Sequence, residues 1–359
     1  MNSQTNRRRF LKQSTLTAGL LSGSPLISVG AGSDKIRMGQ IGVAHGHAAG
    51  KIRSYRQSTE FEVVGIHEPD LNRWNQVKNS QDYRGVKWMT LEELLNTKRL
   101  QAVAVETEVK DLLKYAESCV AVGMHIHLDK APGDSLSRFR GILERSARQN
   151  RVVQMGYMYR YNPAIEMLRD LLEKGWLGDP FEVHTVMSKV VAPNARKDLA
   201  EYPGGIMYEL GCHLIDLVVG LMGKPDQVHA YPKTTGKSDD GLIDNMLAVF
   251  EYPGATATVK SSAVEVEGFA RRHFVLCGTE GTFHIQPLDS PKASLALSRA
   301  HGGFRKGYQE IEFPRFTRYI ADASDFAKII RGEKSTDYPP SHDLAVQEAV
   351  LKACALPVQ

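Results

Sequence analysis

Gly42-Val43-Ala44-His45-Gly46-His47 follows a short apolar run that begins at Ile36 and precedes the helix-length segment Ala48–Gln57. A strand, a glycine-led turn and a helix in that order open a dinucleotide-type fold, because backbone amides at the helix start must come close to a pyrophosphate. Gly42 takes the place of the first glycine, Ala44 stands where the second would be and His47 where the third would be. The bare string is unspecific. Its position makes it readable, since the acid Glu68 closes the next apolar run, where a ribose hydroxyl would be held. A carboxylate there repels a 2′-phosphate and favours NAD, while Arg73 lies near enough in sequence to leave NADP open. His45 and His47 read as polar residues lining the nucleotide turn rather than as catalysts. Neither has a third ligand near it in sequence, so no metal is expected.

Working outward, short apolar runs alternate with helical segments up to about Met155, which is the pattern of a parallel sheet with crossover helices. The expected strands are Ile36–Gly42, Phe61–His67, Gln101–Val105, His125–Asp129 and Val152–Met155, with helices near Ala48–Gln57, Asp70–Asn79, Leu91–Asn96, Leu112–Val122 and Ser135–Gln149. After Pro163 the character changes. A helix over Ala164–Lys174, a strand over Phe181–Val190 and a helix over Ile206–Met222 lead into alternating strand patterns to about Phe313, among them Asn245–Tyr252, Thr256–Ser262, His273–Gly278 and Thr282–Ile285. Two closing helices, Tyr319–Ile330 and His342–Ala353, are predicted, the last free to return to the first half. The expected fold class is α/β: an N-terminal Rossmann-type doubly wound parallel sheet over 32–155, then a C-terminal α+β domain over 156–359 with a large, mainly antiparallel sheet.

The chain has 359 residues, 42% hydrophobic and 24% charged, enough for two cored domains. It contains no run of eighteen apolar residues, so no stable membrane span is expected. The formal charge of +4 comes from 45 Lys and Arg against 41 Asp and Glu. Four of those cations, Arg7, Arg8, Arg9 and Lys12, precede residue 32 with no acid among them, and the remainder balances at 41 against 41. A neutral body offers no electrostatic reason for a nucleic-acid partner.

Residues 1–31 read as a twin-arginine targeting segment: Asn6-Arg7-Arg8-Arg9-Phe10-Leu11-Lys12, a mildly apolar stretch Leu16 to Val29, then Val29-Gly30-Ala31 for cleavage after Ala31. Export to the periplasm by that route is expected, with the nucleotide loaded before transport. Cys119, Cys212, Cys277 and Cys354 are scattered through apolar neighbourhoods and read as free thiols, with a disulfide left open by an oxidising compartment.

Two stretches carry the chemistry. The strand pattern His125-Ile126-His127-Leu128-Asp129-Lys130 puts Lys130 beyond the carboxyl end of a parallel strand, where ligands of such sheets bind. A cationic nicotinamide ring beside it would disfavour the ammonium and make it a proton carrier. Further on, after Gly204-Gly205, a helix would place Glu209, His213 and Asp216 on one face, with Leu210, Leu214, Leu217 and Leu221 behind them. An acid one turn before a histidine orients it and raises its basicity. The double glycine is read as leaving room for a substrate.

Together with Tyr159-Arg160-Tyr161-Asn162-Pro163 and Gly278-Thr279-Glu280-Gly281-Thr282, these stretches make the chain from about Lys35 onward resemble the Gfo/Idh/MocA family of sugar and cyclitol oxidoreductases. The resemblance implies Lys130 as hydroxyl binder and proton relay, also touching the cofactor, His213 as general acid/base and Glu209 as its orienting or substrate-binding carboxylate. Arg160, Tyr161, Asn162 and Asp216 would touch a carbohydrate-type substrate. A homo-oligomer is implied. Asp129-Lys130-Ala131-Pro132 departs from the family's Glu-Lys-Pro, Glu209 from its aspartate, and Glu106-Thr107-Glu108 from its Thr-Pro. The function expected is hydride transfer between a nicotinamide and a hydroxyl-bearing carbon. Glycoside cleavage by transient oxidation and elimination, and a non-catalytic sugar- or nucleotide-binding relative, are the alternatives.

Overall fold

The computed structural model describes residues 35–202 and 204–358; the targeting segment expected over 1–31 lies outside the described residues. The first sheet has five parallel strands, β1 Ile36–Ile41, β2 Phe61–His67, β3 Ala102–Val105, β4 His125–Leu128 and β5 Val153–Met155, in the order β2-β1-β3-β4-β5. Helices α1 Ala48–Gln57, α2 Leu71–Val77, α3 Leu91–Leu95, α4 Leu112–Ala121 and α5 Leu136–Arg148 occupy the connections. β3 and β4 are buried at every position, as parallel strands covered on both faces must be. The chain order reverses on either side of β1, which sets the ligand-binding crevice at the carboxyl ends of β1 and β3.

Register makes those ends level. Ile41 pairs with His67 and Val105, Val105 with Leu128, and Leu128 with Met155. The residues that follow, Gly42, Glu68, Glu106, Asp129 and Gly156, therefore form one row along the top of the sheet. Gly42 has φ +90°, and a Cβ there would come within 2.7 Å of the Thr107 backbone, so the turn and the strand beside it close together only around glycine.

The second half is built on an eight-stranded sheet, β6 Pro180–Val186, β7 Gln227–Lys233, β8 Asn245–Tyr252, β9 Ala255–Ser262, β10 His273–Gly278, β11 Gly281–Ile285, β12 Lys292–Leu297 and β13 Gly307–Glu312, in the order β13-β12-β11-β10-β6-β9-β8-β7. All pairs are antiparallel except β6 with β9. Around it run α6 Pro163–Glu173, α7 Pro193–Ala200, α8 Cys212–Met222, the short α9 Gly268–Arg271, α10 Ile320–Ile330 and α11 Pro340–Ala353. Asn162 caps α6 by accepting from the Ala164 amide at 2.9 Å, and Pro163 fills the first helical position.

The helix expected over Ile206–Met222 is not uniform: Met207–Gly211 forms a π-helical turn before α8 begins. Its entrance differs from the sequence reading as well. A Cβ on Gly204 would come within 2.4 Å of Cys354, and one on Gly205 within 2.5 Å of the Ile243 carbonyl, so the glycines serve close packing rather than substrate room. Of the closing helices, α10 returns to the first sheet, where Ala323, Phe326 and Ala327 pack with Ile36, Tyr55, Phe61 and Ala104. Among the described residues no helix is long and apolar enough to cross a membrane. All four cysteines are free.

Candidate active site

The level strand ends bring the sequence-predicted groups together. Lys130, following β4, is 1% exposed and donates from Nζ to the Glu209 carboxylate and to the Glu209 carbonyl, each at 2.8 Å. Glu209 reaches it from the π-helical turn and keeps 26% of its side chain exposed, which makes it the group through which the site meets solvent. His213, one turn into α8, is 3% exposed and has Tyr159 and Tyr157 set edge-on to its ring at 5.4 and 6.0 Å. His47 lies on its other side, ring centroids 5.6 Å apart. His213 Nδ1 and the Tyr157 hydroxyl are buried without hydrogen-bond partners among the described residues.

Electrostatics separate these groups. Burial opposes the Lys130 ammonium, but the Glu209 carboxylate outweighs it and raises Lys130 above its ordinary range. Burial pushes Glu209 upward, and the Lys130 charge more than reverses this, bringing it down to about 2. A carboxylate at contact distance thus holds the Lys130 proton. Burial, then the charges of Lys130 and His47, hold His213 well below its ordinary value, so its imidazole is neutral. Lys189 is a further cation influenced by Glu209, lowered chiefly by burial.

The expected pairing of Glu209 with His213 is not formed. A π-helical turn carries more residues per turn than an α-helix, so Glu209 swings off the His213 face and meets Lys130. Asp216 leaves that face too. It is 1% exposed, takes Arg160 Nη2 at 2.6 Å, and Arg160 also donates to Asp343 at 2.6 Å. Arg160, expected at the substrate, is 2% exposed beneath the Tyr338 ring, 3.9 Å from its centroid. Asn162 caps α6 and donates to the Leu288 carbonyl at 2.8 Å; the Tyr161 hydroxyl donates to Asp325 at 2.8 Å. These hydrogen bonds join the turn after β5 to α6, α8, α10 and α11.

At the nucleotide end, two adjoining cavities of about 300 Å³ each share Ala44, Arg73, Glu108 and Lys110; one is floored by Glu68, the other roofed by Asp198, Glu201 and Tyr202. Glu68 is buried, its oxygens accepting the Val43 amide at 2.7 Å and the Asp70 amide at 2.9 Å. Arg73 stands 3.6 Å from Glu68 and also bonds Glu108. The amides of Ala44 and Gly46 have no partner among the described residues and sit just before α1. Unpaired amides at a helix entrance with a trough beside them fit a dinucleotide.

Sequence reasoning gave Asp129 no role. In the structure His45 Nδ1 lies 2.8 Å from Asp129 Oδ2 and His47 Nδ1 lies 3.1 Å from Oδ1, making a compact three-residue cluster. The third group missing from the sequence was 82 positions from His47. Gly156 leaves room for that carboxylate, since a Cβ there would come within 2.5 Å of Asp129 Oδ1. Tyr319, from just before α10, also borders the site, 5.5 Å from the His47 ring.

A parallel sheet with a glycine-led turn, joined to a broad, mainly antiparallel sheet whose helix carries His213, defines an α/β protein with a Rossmann-type first half. Residues 165–284 match the family model described as the GFO/IDH/MocA C-terminal domain. The chain is 23% identical over 251 residues to the mouse trans-1,2-dihydrobenzene-1,2-diol dehydrogenase, covering 67% of this chain and 71% of that one. Its alignment with the pig enzyme of the same name spans only 58% of that relative. Myo-inositol 2-dehydrogenase of Thermotoga maritima is 21% identical over 305 residues, 82% of this chain and 87% of its own. Among solved structures, an oxidoreductase from Agrobacterium radiobacter in complex with NAD+, L-tartaric acid and magnesium superposes with a TM-score of 0.76 at 17% identity, covering 90% of this chain and 97% of that one.

Proposed function

We propose that the chain is an NAD(P)-dependent oxidoreductase acting on a hydroxyl or keto group of a sugar, glycoside or cyclitol, with Lys130 and His213 at the reacting carbon. The observation that carries this reading is His213 Nδ1, a buried ring nitrogen without a partner among the described residues, near a lysine held charged by Glu209. A buried polar atom left unpaired in the free protein is a place for a ligand group. Relatives named as dehydrogenases of a diol and of inositol support the substrate class.

The chain's own groups divide the work. The amides before α1 and the trough beside Glu68 bind and orient the dinucleotide. When bound, its nicotinamide supplies or takes the hydride. The Lys130 ammonium donates to the reacting oxygen and stabilises charge developing there. Neutral His213 takes the hydroxyl proton in oxidation and returns it in reduction. Glu209 keeps Lys130 charged and remains exposed enough to accept a neighbouring hydroxyl. We further propose export by the twin-arginine route, on the strength of Arg8-Arg9-Phe10-Leu11, and a homo-oligomer; cell fractionation and sedimentation test these.

The central test is to follow nicotinamide absorbance with purified protein, NAD or NADP and a panel of polyols, inositols and glycosides. Turnover lost in Lys130→Ala and His213→Ala supports the reading. No nucleotide binding and no turnover with any of them would overturn it.

A further inference from the structure

We propose that His45, His47 and Asp129 form a binding site for one divalent transition-metal ion of the zinc class, at the carboxyl ends of β1 and β4. One ring nitrogen of each histidine and a carboxylate oxygen lie within 4.8 Å of one another, with His45 Nδ1 2.8 Å and His47 Nδ1 3.1 Å from Asp129 oxygens. Around a tetrahedral ion with bonds of about 2.0–2.2 Å, ligand atoms stand roughly 3.4 Å apart, so the present spacings need only small adjustments.

Hydrogen bonding fixes the donor atom of His45. Its Nε2 faces the Lys130 carbonyl at 3.1 Å, and a carbonyl can only accept, so Nε2 carries the proton. That leaves Nδ1 as the ligand atom, and it faces Asp129 Oδ2 at 2.8 Å, a contact that opens by a few tenths of an ångström to take an ion. A ring N–H donated to a backbone carbonyl is also how metal-bound histidines are usually held.

Buried charge points the same way. Asp129 and Glu106 are both fully buried, and neither Glu106 oxygen has a hydrogen-bond partner among the described residues. The nearby lysines are already matched, Lys51 with Asp322 and Lys130 with Glu209. The Asp129 carboxylate is fully buried against the two histidines, and a dication offsets the cost of burying that charge. Two imidazoles with one carboxylate favour zinc, cobalt, iron or nickel over magnesium or calcium, which prefer all-oxygen shells. Three protein ligands leave a position for water or a substrate oxygen. With His213 next to His47, such an ion would sit beside the proposed reacting groups.

The site is tested without nucleotide or turnover, so its failure leaves the oxidoreductase reading standing, and the reverse. Untagged chain is stripped with a chelator and titrated with cobalt(II), following visible d–d absorbance, then with zinc as competitor. One equivalent of cobalt with four-coordinate intensity, displaced by zinc, is expected. His47→Ala, which removes a partly exposed ligand, should weaken cobalt binding by at least about 100-fold. Asp129→Asn provides the same test at similar side-chain volume if His47→Ala does not fold. His273→Ala, in the separate histidine group of His184, His273 and His284 on the second sheet, should leave the titration unchanged. A folded wild-type chain that takes up no cobalt overturns the proposal. So does binding that survives the ligand substitutions.

Discussion

Lys130 donates to both the side-chain carboxylate and the main-chain carbonyl of Glu209, each at 2.8 Å. The lysine's position is therefore fixed by a π-helical turn in the other half of the molecule as much as by its own strand.

That pair makes stability depend on acid. Glu209 is held at about 2, below its unfolded value of roughly 4.3, so it contributes stability above pH 4 that is lost as pH falls toward 2. Glu209→Gln should cost on the order of 3 kcal/mol near neutrality, and the difference from wild type should shrink below about pH 4. Urea unfolding of both proteins at several pH values checks this; a difference constant down to pH 3 would contradict it.

Lys130→Ala and His213→Ala should each reduce kcat/KM about 10²- to 10⁴-fold, with the fold intact by circular dichroism. The proposed roles put both groups on one oxygen, so the double substitution should lose far less than the product of the single effects. A fully multiplicative loss would mean that they act on separate steps.

Arg160→Met leaves Asp216 and Asp343 buried without their shared cation. It should destabilise the protein by roughly 3–5 kcal/mol and leave KM of the folded fraction unaltered. A KM change without a stability change would return Arg160 to the substrate.

Gly205 has φ +54° and no room for a side chain, so Gly205→Ala should cost about 1–3 kcal/mol. Gly46 has nothing within 4 Å of an added Cβ, and Gly46→Ala should stay within about 0.5 kcal/mol. Thermal melts of the pair give the comparison directly.

Much of the architecture could be read from residue pattern alone. Phe61–His67, Ala48–Gln57, Asn245–Tyr252 and His273–Gly278 coincide with observed elements because their apolar spacing is enforced by a buried face. The edge strands β7 and β13 are mostly exposed, so no such spacing marks them. Lys130 and His213 were legible because each follows a recognisable strand end or helix entrance. Their partners were not. A π-helical turn leaves no periodic signature, so Glu209 was assigned to the wrong neighbour. Asp129 and Glu106 acquire their meaning only when strand register sets them beside His45, and Asp216 only when Arg160 arrives from β5.

The return of α10 onto β1 and β3 has a consequence for how the molecule is made. Phe326 stacks on Phe61, and Asp322 bonds Lys51 of α1, so the first sheet lacks part of its cover until residues near 330 have left the ribosome. A fragment ending at Met155 would expose Tyr55 and Phe61 and leave Lys51 as an unpaired cation. The nucleotide half is thus finished last although it is synthesised first, and its glycine-led turn gains its Tyr319 wall only when translation is nearly over.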